Sequence, residues 1–154
     1  MRWVGLVARL VLAGVLLVAG GAKVGDLAAS VRAVHAYDIL PYTASKVVGA
    51  TLPFVEIAVG LLLLVGFATR LAAAVSAVLM VVFVGGIASV WARGLRIDCG
   101  CFGGGGEVAA GQTAYTAEIL RDLGLLAMAV YLTIRPDTPL SVDRLVHRRA
   151  ADPA

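Results

Sequence analysis

The only two cysteines of this 154-residue chain stand one residue apart, Cys99 and Cys101, with Gly100 between them. Residues at that spacing do not share a face of a helix, so the pair belongs to a loop, where it can close a very small ring. A disulfide in so short a ring is strained and easier to reduce than a structural bridge, and Gly100, lacking a Cβ, relieves part of the crowding. The ring closes almost no chain and therefore staples almost nothing. Inert thiols would sit more naturally in the apolar runs than in a glycine-rich loop. Thiol–disulfide exchange in an oxidising compartment is the chemistry these residues fit best. Arg93 and Arg96 are near enough in sequence to stabilise a thiolate, with Asp98 opposing them. Zinc wants four ligands, and His35 is the one further candidate beside the pair, so no metal and no cofactor are expected.

A second set of reactive groups consists of charges embedded in apolar sequence: Lys23, Glu56, Glu118, Arg121 and Asp122. Isolated charges at membrane depth are costly, so they should pair, Glu56 with Lys23 or Arg121. The same cluster could move protons or hold a partner beneath the cysteine loop, or it could fix helix packing. Two cysteines also limit the mechanism. A chain that passes electrons through the bilayer needs a second thiol pair or a bound quinone, so this pair alone exchanges disulfides only on its own side.

The elements that must position these groups are apolar helices. Hydrophobic residues make up 60% of the chain and charged residues 15%, with a mean hydropathy of +0.94. Soluble domains carry about a quarter charged residues. The net charge is +3, but no basic stripe with interleaved aromatics appears, so nucleic acid is not an expected partner. The partner of most of the surface is lipid. About 20 apolar residues in a helix cross a hydrocarbon layer of about 30 Å. The predicted fold is an all-α, four-helix transmembrane bundle, with spans at about 3–22, 47–69, 71–92 and 113–134. Run 71–92 is free of charge. Arg9 in the first run would extend its head toward the nearer interface. A signal peptide is the competing reading of that run, weakened by the three runs that follow it.

Four spans put both termini on one side. Arg2, Arg9, Arg70, Arg135, Arg144, Arg148 and Arg149 fall on that side, and Lys23, Arg32, Lys46, Arg93 and Arg96 on the other, offset by Asp26, Asp38 and Asp98. The positive-inside rule then places both termini in the cytoplasm and the cysteine loop outside the cell membrane. The outer face would hold a short interfacial helix around residues 31–37 and the loop 93–112, whose glycines 103–106 have no preferred backbone state. The domain would run over residues 1–136, followed by a short basic cytoplasmic tail, 137–154, solvated or lying on an anionic leaflet.

These segments resemble the MauE branch of the DoxX-like membrane proteins, named for methylamine utilisation. The resemblance runs over nearly all of residues 5–134. It rests on AGGAK ending at Lys23, LPFVE ending at Glu56, DCGCFG over residues 98–103, and LRD over residues 120–122. It implies a four-helix membrane bundle linked to maturation of disulfide-containing periplasmic proteins alongside a thioredoxin-like partner. By that similarity Cys99 and Cys101 are the redox pair, supported by Asp98, Gly100, Phe102 and Gly103, with Lys23, Glu56 and Arg121 as family polar positions. Three functions compete. The first is a membrane thiol–disulfide protein acting on an extracytoplasmic client. The second is a structural or accessory subunit of a membrane complex, possible also as an oligomer. The third, a quinone-coupled reductase of the vitamin K epoxide reductase type, is disfavoured by the missing CxxC and second thiol pair.

Overall fold

Residues 2–109 and 111–144 are described in a computed structural model of the chain. Among them, five α-helices and one small hairpin follow in the order α1 (Arg2–Val24), α2 (Leu27–Ala36), α3 (Tyr42–Val65), α4 (Thr69–Ala92), β1 (Ile97–Asp98), β2 (Gly106–Glu107) and α5 (Tyr115–Ile134). Helices α1, α3 and α4 are long and apolar enough to cross a membrane. At 1.5 Å per residue, the 24 residues of α3 or α4 reach about 36 Å. Helix α5 has 20 residues, and Glu118, Arg121 and Asp122 lie in its first half. It packs along α4 and also touches α1, while α1 and α3 form the other close pair.

The central core gathers Leu12, Leu16, Leu63, Ala73, Ala129 and Leu132 from four helices. Apolar side chains also cover much of the outer surface, with Val18, Leu61, Val78 and Leu120 exposed. That inside-and-outside apolarity is what a lipid solvent permits. Small residues set the close approach of α1 and α3. A Cβ on Gly20 would fall 2.7 Å from the Pro53 carbonyl oxygen, and one on Gly60 would fall 2.9 Å from Leu17.

Helix α3 starts at Tyr42 rather than at residue 47, because Pro41, extended at φ −61° and ψ 153°, serves as its N-cap. The added turns rise past the end of α1, and α2 packs against them. Glu56 consequently lies about four turns into its helix instead of two. The turn between α3 and α4 comes earlier than expected, at residues 66–68. Gly66 at φ 69° takes the left-handed cap position, where Phe67 N–H donates to the Leu62 carbonyl.

At this end of the bundle the head of Arg9 lies against Gly66 in the turn between α3 and α4. It is buried, donating to Thr138 Oγ1 at 2.8 Å and to the Leu140 carbonyl at 2.9 Å. Residues 138–143 fold back to supply these acceptors, and Asp143 accepts from the N–H groups of Ala68 and Thr69 at 2.8 and 2.9 Å. Asp143 thereby caps α4, which has no side-chain cap of its own. Packing thus continues past residue 136, so a basic tail starting at residue 137 is not free of the bundle. Its remainder, with Arg148 and Arg149, lies outside the described residues.

Candidate functional site

The hairpin carries the thiols. Ile97 pairs with Glu107 and Asp98 with Gly106, antiparallel, leaving residues 99–105 as a tight cap. These two short strands are the departure from an all-α fold. The glycine run is not a structureless tether either. Gly105, at φ 91°, presses so close to α2 that a Cβ there would fall 2.4 Å from the Ala33 Cβ. Gly100, at φ 67°, would meet the same Ala33 Cβ at 2.7 Å. Both positions need a left-handed backbone and the absence of a side chain, which only glycine combines.

Cys99 Sγ and Cys101 Sγ face each other at 2.7 Å. Both residues are less than a tenth exposed, at 9% and 8%. A disulfide bond of about 2.05 Å therefore requires the sulfurs to close by less than the width of an atom. Two tyrosines hold the frame. Tyr37 Oη donates to the Cys99 carbonyl at 3.1 Å. Tyr115 Oη donates to the Leu95 carbonyl at 2.7 Å and accepts from Ile97 N–H at 2.9 Å. Burial, then the charges of Cys101 and Cys99, pushes the Tyr37 phenol far above its ordinary range, so it remains a donor. The Cys99 thiol is also pushed up, first by its hydrogen bond with Cys101 and then by burial.

The charges fall on two sides of the pair. Lys23 Nζ meets Glu56 Oε1 at 2.5 Å, and both side chains are buried. Arg121 turns instead to its neighbour, with Nε 2.9 Å from Asp122 Oδ1, and lies over the Phe102 ring at 4.7 Å. Arg121 and Cys101 line the same small space beneath the hairpin. A space of about 10 Å³, the room of about one water, separates Glu56 from Arg121 and Asp122 beneath Cys101 and Phe102. Glu56 Oε2 and Asp122 Oδ2 have no hydrogen-bond partner among the described residues.

Glu118, one turn before Asp122, brings its carboxylate beside the thiol. Oxygens of Asp98 and Glu118 and the sulfur of Cys99 lie within 4.8 Å of one another. Three such atoms fall short of the four that a structural zinc takes, and His35 stacks edge-on against Tyr42 instead. The arrangement supplies a proton acceptor next to a thiol. Arg93 does not face the thiols. Its guanidinium donates to the carbonyls of Tyr37 and Asp38, tying the end of α2 to the end of α4.

On the other side, Cys99 and Cys101 line a cavity of about 440 Å³ between α2, α3 and α4. Neither this cavity nor the tyrosine frame was signalled by spacing in the sequence. Tyr37 and Tyr115 stand 62 and 16 residues from Cys99, and Tyr115 meets the hairpin through the backbone of Leu95 and Ile97.

The family described as methylamine utilisation protein MauE matches residues 1–135. The chain belongs to the MauE family. It is 35% identical over 135 residues to methylamine utilization protein MauE of Paracoccus denitrificans, an alignment that takes in 87% of this chain and 69% of that protein. No solved structure matches the chain significantly. With three membrane-length helices, this member of the MauE family is a multi-pass membrane protein. The matched region takes in the thiol hairpin, both charge pairs and the Arg9 side chain, and stops short of Thr138 and Asp143.

Proposed function

We propose that the chain is a membrane thiol–disulfide protein that assists the maturation of an extracytoplasmic client, cycling Cys99 and Cys101 between dithiol and disulfide. The observation that carries this reading is the 2.7 Å approach of the two sulfurs in a glycine hairpin. Glu118 takes the proton when the Cys99 thiol attacks, and Arg121 offsets the charge that develops on sulfur. The buried sulfurs require the hairpin to lift before a protein partner can form a mixed disulfide. A thioredoxin-like protein on the same side is the partner that fits this exchange. The name of the Paracoccus relative supports methylamine utilisation as its setting. In this reading α5 is a fourth span, both termini are cytoplasmic and the hairpin faces outward across the cell membrane.

The test is labelling of intact cells with a membrane-impermeant maleimide, before and after reduction. Labelling that appears only after reduction supports an external disulfide. Labelling that appears only after lysis overturns the orientation. An unchanged thiol state across redox buffers overturns the exchange chemistry and leaves the accessory-subunit reading. That second reading draws on the buried Lys23 and Glu56 pair, which joins α1 to α3 whether or not the thiols react.

A further inference from the structure

The cavity beside the sulfurs has a composition that the exchange reaction with a protein partner does not use. Its volume of about 440 Å³ falls in the range of roughly 300–1,000 Å³ typical of small-molecule sites. Its walls are nearly all apolar, drawn from residues such as Val34, Leu52 and Phe83. Among the described residues, Lys23 is the one charged residue lining it, and its ammonium lies 5.5 Å from the centre of the Phe83 ring. Ile39 and Val82, also in the lining, are 56% and 60% exposed. An apolar rim on membrane-length helices admits a molecule dissolved in lipid more readily than a polar reagent.

The electron balance names the class of that molecule. Oxidising a client dithiol leaves the chain's own pair as two thiols, and the chain has no other cysteine to pass the electrons to. An acceptor must therefore reach Sγ from outside the chain. We infer that the cavity is a site for a membrane quinone, which reoxidises Cys99 and Cys101. In the step, two S–H bonds break and one S–S bond forms. The two electrons and two protons released convert the quinone to the quinol, forming two O–H bonds. Lys23 is placed to donate a hydrogen bond to a quinone carbonyl while Phe83 and Leu52 enclose the ring. This inference rests on the exchange reading above and supplies its electron acceptor. It also removes the need for a second thiol pair.

Gly85 gives a clean handle, because it lines the cavity and a Cβ there meets nothing within 4 Å. The full-length protein is reduced with dithiothreitol, freed of reductant and placed in quinone-free phosphatidylcholine nanodiscs. Ubiquinone-1 is then added without oxygen. The expected result is one quinol per chain with loss of both thiols, and a rate lowered about tenfold or more by Gly85→Leu. Gly14→Leu, on an open face of α1, leaves the rate at the unsubstituted value. Wild-type thiols that cycle in dithiothreitol buffers yet ignore ubiquinone-1 overturn this inference alone. Thiols that cycle in neither overturn the exchange reading with it. Undiminished quinone reduction in Gly85→Leu, or a phospholipid that holds the cavity against ubiquinone-1, rules out the site.

Discussion

The Ser30 hydroxyl donates to the Gly49 carbonyl at 2.7 Å, across the contact between α2 and α3. Gly49 stands four residues before Pro53, whose ring nitrogen carries no hydrogen and cannot complete that helical bond. Ser30 thus satisfies the acceptor that the proline leaves open. Removing Ser30 exposes that debt. Ser30→Ala should lower stability by about 1–2 kcal/mol, and the loss should shrink by half or more in a Pro53→Ala background, where the helix supplies its own donor. Thermal unfolding of the four detergent-solubilised proteins of this cycle decides it. Equal losses in both backgrounds would show that Ser30 acts by packing alone.

Ala33 and Gly105 form the contact on which the hairpin rests. Gly105→Ala forces a residue at φ 91° to carry a Cβ 2.4 Å from that of Ala33. The left-handed backbone alone costs about 1–2 kcal/mol for a non-glycine residue, and the collision adds to it. Combining Gly105→Ala with Ala33→Gly should relieve the contact with the Ala33 side chain and leave the backbone cost together with the 2.9 Å approach to Gly100 Cα. Gly106→Ala, where nothing lies within 4 Å, serves as the collision-free reference. The readout is the yield of the intramolecular disulfide under mild oxidant. A double variant no better than Gly105→Ala would sink the account.

Lys23 and Glu56 test the buried pair. Removing one partner leaves a charge without compensation, at a cost of about 3–5 kcal/mol. Lys23→Met and Glu56→Leu are each expected to reduce folded protein in membranes sharply, and the two together much less than their sum. Quantifying folded protein by size-exclusion after extraction separates these cases. Additive losses would mean the two side chains act independently.

The Cys99 thiol gives the pH dependence. Its value is raised in the fold by the Cys101 hydrogen bond and by burial, so the native state favours the protonated thiol. The resulting stability is complete below the ordinary thiol value of about 8.5. It declines as pH rises above that value, because the unfolded chain then ionises first and releases the proton that the native state retains. Site-resolved iodoacetamide labelling of reduced protein should stay slow at Cys99 through about pH 9, and become fast on denaturation. Labelling in the native protein that follows the free-thiol curve would contradict the burial argument.

Much of this arrangement is legible in the sequence, and the remainder is hidden for identifiable reasons. Long, mainly apolar runs mark α1, α3 and α4, since lipid imposes a length that composition reveals. The cysteine pair announces itself by its spacing. The start of α3 is obscured by Ser45 and Lys46, which read as loop residues. Ser45 is buried with its hydroxyl on the Leu40 carbonyl, a contact between segments that no local pattern encodes. The glycines 103–106 read as freedom, whereas Gly105 is used for closeness to Ala33. Charges within helices announce that they need partners without saying which. Arg121 has Asp122 as its neighbour in sequence, and Lys23 finds Glu56 only because α1 and α3 lie side by side.

The Arg9 bonds to Thr138 and Leu140 carry a consequence for biosynthesis. Arg9 enters the membrane with the first helix, but Thr138 follows it by 129 residues. At about 5–20 residues per second, the guanidinium waits on the order of ten seconds for its acceptors. Until then the helix carries an unmatched cation that a translocon or a neighbouring protein must accommodate. The turn at Thr138–Leu140 thus completes the burial of a group on the first helix, and a truncation before Thr138 should lengthen the association of the chain with the insertion machinery, read by crosslinking during synthesis.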